Sequence, residues 1–389
     1  MELINKYLKG DRVVWIVTLL LSLLSVLIVY SSTSQLSYRF KGGNTEAYLF
    51  KHFIILLLGF LVMVYVHRLN YKFFSRLSQI GVIISAVLLF VTLFMGTSVN
   101  SASRWFMGFQ PSDLAKITLI VYLARQLTLY KQEFTIFKNF AIRILVPIAV
   151  ICGLILPADF STSAMLFVDC LVLVFIANIP LKFIGITLGT AFLALMLLIS
   201  ISKVAPGVLP RLDTWVSRIE AFIGIGDKEK SADRNYQSDL ANAAIANGGL
   251  FGNGPGKGKT KHILPSAWAD FIFVSFIEEY GSLFGGLTLI LLYLVILYRV
   301  IRISVSSENQ FARLMVFGLG FSIVFQAFLN MGVGVNILPV TGQPLPLVSM
   351  GGTSILFTAV AIGMILSVST EVYKEEEEVK TNKVKHAAV

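Results

Sequence analysis

Long apolar runs separated by short polar stretches set the pattern of this chain. A helix crosses the hydrocarbon core of a bilayer with about 20 consecutive, mostly apolar residues. On that measure the runs predict ten spans, at 13–31, 49–66, 77–96, 112–130, 143–157, 162–178, 182–201, 270–298, 313–334 and 352–369. No repeat of fixed period is visible. The longest polar interval, 202–269, holds a different pattern. Leu212, Trp215, Val216, Ile219, Phe222 and Ile223 share one helical face, flanked by Arg211, Asp213, Arg218 and Glu220. That spacing predicts an amphipathic helix, either lying on the bilayer surface or packed on the protein. Tyr236–Asn247 predicts a second helix, stopped by Gly248 and Gly249.

Composition agrees with a polytopic membrane protein. Of the 389 residues 56% are hydrophobic and 14% charged, where soluble domains carry about 25% charged residues. Lys6, Lys9 and Arg12 ahead of the run from Val13 to Tyr30 resemble a signal peptide, but that run is too long and no A-x-A-like site follows, so it reads as the first span. Cys152 and Cys170 both lie in apolar runs and read as packing residues. The net charge of +10 sits in loops between spans, which points to membrane orientation rather than to nucleic acid. One set of short loops holds eleven cations: Arg68, Lys72, Arg76, Arg125, Lys131, Lys138, Arg143, Lys182, Arg299, Arg302 and Arg313. The other set holds four: Arg39, Lys41, Lys51 and Arg104. The richer set is expected in the cytoplasm, with both termini. Residues 1–370 then form one membrane domain with its large external loop between the seventh and eighth spans. Residues 371–389, with Glu375–Glu378 and Lys380, Lys383 and Lys385, form a cytoplasmic tail expected to be disordered.

The chemistry-bearing motifs all fall on the outer side of this topology. Gly252–Thr260 imitates the end of a phosphate-binding loop, but Asn253 stands where that motif needs its first glycine and no apolar strand precedes it. A basic glycine-rich loop can still offer backbone N–H groups and a lysine such as Lys257 to a phosphate, or be a solvated turn. In the segment Arg104–Lys116, Pro111 suits a first helical turn, and Asp113 and Lys116 share one face inside the fourth span. A charge there lines a cavity or substrate path, or forms a structural pair. Asp159 is a helix cap or a site residue. Asp270, at the outer start of the eighth span, is a cap or a general base; Glu278 and Glu279 deeper in that span suggest an ion pair or polar layer. The stretch from Asn330 through 338–354 has no helical period and three prolines, so it must be packed in protein or line a cavity.

In this order the motifs resemble those of the SEDS family, the FtsW and RodA proteins, over essentially the whole chain. The family's F-Q-P-S-E-L-A-K appears as Phe109–Lys116 with Asp113 for Glu. Its L-P-E-A-H-T-D-F-I-F appears as Leu264–Phe273, with Ser266, Trp268 and Ala269 for Glu, His and Thr. Its L-P-x-x-G-x-P-L-P-x-x-S-Y-G-G-S-S appears as Leu338–Ser354 with Met350 and Thr353 as variants, and P-D-x-G-T is loosened to Ala158–Thr162. The resemblance implies an all-α membrane fold of about ten helices with a glycosyltransferase-C-like core. It implies an enzyme that polymerises lipid II into β-1,4 glycan strands on the outer face of the bacterial plasma membrane. Asp270 matches the family's catalytic aspartate. Substrate contacts are expected from Arg104, Asp113, Lys116 and Asp159, and from Gln237, Lys257, Gln343, Ser349 and Thr353. A divalent cation, Mg or Mn, and no nucleotide would assist, and the expected partners are a class B penicillin-binding protein and other division or elongation proteins. Residues 340–354 resemble the FtsW branch more closely, which implies septal synthesis. A lipid II flippase or a non-catalytic division scaffold are the alternatives.

Overall fold

The structure is a computed structural model and describes residues 9–33, 36, 44–99, 102–106, 108–204, 215–216 and 228–387. Eleven helices account for nearly all of it: α1 Arg12–Ser32, α2 Thr45–His67, α3 Tyr71–Met95, α4 Pro111–Leu129, α5 Phe137–Ile155, α6 Phe160–Ile176, α7 Leu181–Val204, α8 Lys228–Gly248, α9 Ile272–Ser306, α10 Gln310–Gly334 and α11 Gly352–Ala387. A short antiparallel hairpin, β1 Thr97–Val99 and β2 Ala102–Trp105, joins α3 to α4 and was not expected from the apolar pattern. Among the described residues, eight helices are long and apolar enough to cross a membrane. Of the other two expected spans, α6 is apolar but has 17 residues, and α4 carries three charges, Asp113, Lys116 and Arg125.

Short polar residues start the helices where the sequence interrupts its apolar runs. Asp11, Asn44, Asn70, Asp159 and Asn309 each accept hydrogen bonds from first-turn N–H groups of α1, α2, α3, α6 and α10. The burial gradient then orders the bundle: 67% of the spanning parts of α10 and α11 is buried, against 11% of α7. α10 packs on α4, α6, α9 and α11, and α11 packs on α2. The outer faces of α2 and α3, with Phe50, Leu57, Leu61, Ile80, Ile83 and Phe90, expose apolar side chains as a lipid-facing surface does.

Polar contacts mark two ends. At one, Asp11 caps α1 and pairs with Arg299 near the end of α9, while the Tyr373 hydroxyl meets both. Arg125 donates to Ser75 at 2.8 Å, and Arg143 lies 3.3 Å from Glu133. At the other end lie Ser31, the hairpin and the segments before α4, α9 and α11. The cation-rich loops and the quoted motifs therefore do occupy opposite ends.

One expectation changes. α11 continues to Ala387 instead of giving way to a disordered tail. The amphipathic helix expected near 212–223 lies outside the described residues except for Trp215 and Val216. Trp215 packs on Phe160 with ring centroids 4.5 Å apart.

Candidate functional site

Asp270 sits on a turn, not on a helix. Ser266 adopts φ +54°, a left-handed conformation that reverses the chain, and its carbonyl accepts the Ala269 and Asp270 N–H groups at 3.0 and 3.1 Å. α9 begins only at Ile272, with Phe271 as its cap residue. The capping role open to Asp270 in the sequence is therefore not the one it plays. Its carboxylate is half-buried at the end of the bundle, beside the 338–351 segment. Gly342, at φ +69°, brings bare backbone there: a Cβ at that position would stand 3.7 Å from Asp270 Oδ2.

The 338–351 segment is packed in protein, as its lack of helical period requires. Ser349 Oγ donates to the Ala269 carbonyl at 2.6 Å and Met350 N to the Trp268 carbonyl at 3.0 Å. Asn330, on α10 and 1% exposed, donates through Nδ2 to the carbonyls of Asp270 and Gln343, both at 2.8 Å. Gln343 Nε2 donates to Thr162 Oγ1 at 2.8 Å, Ser161 Oγ to the Thr341 carbonyl at 3.1 Å, and Trp215 Nε1 to Ser161 Oγ at 3.1 Å. Asp159 takes the capping role at α6, accepting Thr162 N–H at 3.1 Å, and so holds in place the residues that receive the loop.

The fourth-helix charges join this assembly from below. Lys116 Nζ lies 3.1 Å from Asp113 Oδ1 and donates to Gln326 Oε1 at 3.1 Å. Gln326 Nε2 donates to the Pro344 carbonyl at 2.9 Å. A path of hydrogen bonds thus runs from Asp270 through Asn330, Gln343–Pro344 and Gln326 to Lys116 and Asp113. Asp113, Lys116, Ser322 and Gln326 border a cavity of about 40 Å³, room for a water or two. Asp113 Oδ2 is buried there without a hydrogen bond among the described residues.

The glycine-rich segment is used differently from the phosphate cradle it suggests. Glu278 Oε1 accepts the N–H groups of Lys259 and Thr260 at 2.9 and 3.0 Å and the Thr260 hydroxyl at 2.8 Å. Glu279 accepts Gly256 N–H at 2.9 Å and pairs with Lys261 at 2.9 Å, and Lys261 also donates to Ser31. The protein's own carboxylates therefore occupy those donors. The close crossing of this loop over α9 needs glycine at Gly252 and Gly281, where a Cβ would overlap the opposing backbone.

Of the other expected residues, Lys257 is exposed on that loop and Gln237 half-buried on α8, and neither takes part in the path to Lys116. Thr353 stands in the first turn of α11 with its hydroxyl buried and without a hydrogen bond among the described residues. Arg104 lies on β2, and its side chain is outside what the structure describes. Gln326, His52 and Asp169 were not singled out from the sequence. Each is a polar residue inside an apolar run, the signal that had already marked Lys116. Asp169, 2% exposed on α6, feels Lys116 across the bundle.

The chain resembles known proteins over nearly its whole length. The chain is 30% identical over 385 residues to a probable peptidoglycan glycosyltransferase FtsW of Enterococcus hirae, covering 95% of each. It is 32% identical to one from Hydrogenovibrio crunogenus, covering 90% of this chain and 88% of that one. Among solved structures, a chain of a peptidoglycan synthase complex coordinating polymerization and crosslinking superposes with TM-score 0.72 at 22% identity, covering 94% and 98%. The rod shape determining protein RodA of Thermus thermophilus gives 0.65 at 23% identity, covering 95% and 99%. These two show a shared fold. A family model described as cell cycle protein, FTSW_RODA_SPOVE, matches residues 11–374, and the chain belongs to that family.

Proposed function

We propose that this protein is a peptidoglycan glycosyltransferase that polymerises lipid II into β-1,4 glycan strands, serving septal synthesis in cell division. The observation that carries this reading is the hydrogen-bonded assembly joining Asp270 to Lys116 at one end of the bundle. In the reaction, the Asp270 carboxylate accepts the proton of the acceptor sugar's 4-hydroxyl as the oxygen attacks the donor's anomeric carbon. The bond to the polyprenyl pyrophosphate breaks, and attack from the opposite face inverts an α-linked donor to a β product. Lys116 and Arg104 supply positive charge to the departing pyrophosphate, and partial exclusion of water strengthens that contact.

Among the described residues no group of three or more His, Cys, Asp or Glu stands close enough to hold a metal ion. A divalent cation, Mg or Mn, is therefore proposed only as a companion of the substrate's pyrophosphate. We place ten helices across the plasma membrane of the bacterium, adding α4 and α6 to the eight, with both termini in the cytoplasm. The substrate cleft then faces outward and opens sideways to lipid, because the polyprenyl tail stays in the bilayer. The proposed partner is a class B penicillin-binding protein that cross-links the strands.

A flippase would need polar groups reachable from both ends. Here the path from Asp270 to Lys116 lies at one end, and a separate group, Asp11, Arg299 and Tyr373, ties the other. Purified protein in detergent with lipid II distinguishes the two, since micelles offer no second compartment. Glycan strands on a gel support polymerisation; their absence, even with the transpeptidase partner added, refutes it.

A further inference from the structure

Ser25 on α1 and His52 on α2 meet in the buried seam between the two helices, 0% and 1% exposed. His52 Nε2 lies 2.7 Å from Ser25 Oγ, and Ser25 Oγ donates to the Val348 carbonyl at 2.7 Å. A hydroxyl has one proton to give. Ser25 gives it to Val348, so the proton between Ser25 and His52 belongs to His52 Nε2. His52 Nδ1 is buried without a hydrogen-bond partner among the described residues. It is therefore the lone-pair nitrogen, because an N–H there would be a buried donor with no acceptor.

Val348 belongs to a turn under strain. Leu347 has φ +63°, a region that side chains enter at a cost unless their surroundings hold them. The surroundings here are hydrogen bonds. Leu345 N donates to Ser349 Oγ at 2.8 Å, Ser349 N to the Leu345 carbonyl at 2.9 Å, and the Tyr293 hydroxyl to the Pro346 carbonyl. The Ser349 hydroxyl that closes this turn also donates to the Ala269 carbonyl, one residue before Asp270, and Met350 N donates to Trp268.

We infer that His52 and Ser25 are positioning residues for Asp270. Together they anchor the Val348 carbonyl from within the membrane, and the turn passes that anchor to residues 268–270. Neither residue touches the reacting groups; both act through Ser349 and Met350. The activity arm of the test rests on the polymerase reading, while the exchange arm does not.

The test uses the purified full-length chain with His52→Leu, His52→Gln, Ser25→Ala and the Leu/Ala double variant. Lipid II turnover gives kcat and KM, and hydrogen–deuterium exchange follows peptides covering 266–270 and 345–350. His52→Leu removes one buried hydrogen bond and predicts a fall in kcat of about fivefold; Ser25→Ala removes two, the Val348 bond among them, and predicts about 30-fold, with KM within about twofold and faster exchange in both peptides. The double variant is expected to be no worse than the more impaired single, since both cut one chain of bonds. His52→Gln, whose side-chain amide can still donate to Ser25, is expected to recover most of kcat. Should His52→Leu fail to fold, Ser25→Ala removes only one oxygen and carries the test alone. Wild-type kcat in Ser25→Ala, a double loss equal to the product of the singles, no recovery with Gln, or unchanged exchange at 345–350 would each overturn the inference. If wild-type protein makes no glycan while exchange still rises in the variants, the polymerase reading fails and the anchoring stands.

Discussion

Replacing Asn330 with leucine keeps the side chain's branching and heavy-atom count and removes the donor that binds the Asp270 and Gln343 carbonyls, each at 2.8 Å. At about 1 kcal/mol net per bond, the two together contribute about 2 kcal/mol. If the acceptors find no water in place of the amide, the loss rises to about 4 kcal/mol, because a buried unsatisfied group costs its full desolvation. The structure says where that loss appears. One bond fixes Asp270, two residues before α9, and the other fixes the loop facing it, so their removal loosens Asp270 relative to Gly342 and Gln343. If half the energy is felt in the placement of Asp270, kcat falls about fivefold; if all of the 2 kcal/mol is, it falls about 30-fold. Lipid II polymerisation by purified protein measures the first effect, and thermal unfolding in detergent measures the remainder. Wild-type turnover together with a wild-type unfolding midpoint would show that Asn330 does not bridge the two segments.

Lys116→Met keeps the apolar stem and removes the cation; it is expected to lower lipid II turnover at least about tenfold, read as strand yield over time. Lys261→Met strands Glu279, 2% exposed, in the bundle and is expected to cost about 3–5 kcal/mol in unfolding, much of it recovered by adding Glu279→Met. Arg299→Met strands Asp11, 0% exposed, at the opposite end; a lower unfolding midpoint is expected, with the kcat of folded protein unchanged.

Much of this was legible in the chain because a bilayer leaves so few options for backbone and charge. The long helices follow from apolar runs, and the gathering of the motifs at one end of the bundle follows from the alternation of those helices. The pairing of Asp113 with Lys116 follows from their spacing on a helix, and it is realised at 3.1 Å. What the sequence could not supply was pairing between distant segments. Glu278 and Glu279 announced a buried polar layer, but nothing in their spacing named Lys261, Thr260 and Gly256 as the groups that fill it. For the same reason the glycine-rich loop offered N–H groups to a phosphate until its internal acceptors were visible. Asp159 and Asp270 looked alike as caps ahead of helices. Only the fold separates them, because α6 starts immediately after Asp159 whereas α9 starts one residue too late for Asp270. The charge runs of residues 371–389 signal disorder, but a helix already under way extends more easily than one begins, and α11 runs on to Ala387.

We propose above all that the Asp270 carboxylate is the proton acceptor in glycan polymerisation. Asp270→Asn keeps the side chain's shape and takes away its basicity, so it isolates that role. The measurement is the rate of strand formation from lipid II by wild-type and Asp270→Asn protein, purified identically in detergent, with unfolding midpoints recorded alongside. Polymer is expected from the wild type and none above background from the Asn variant, at matched stability. Polymerisation by Asp270→Asn at the wild-type rate would contradict it.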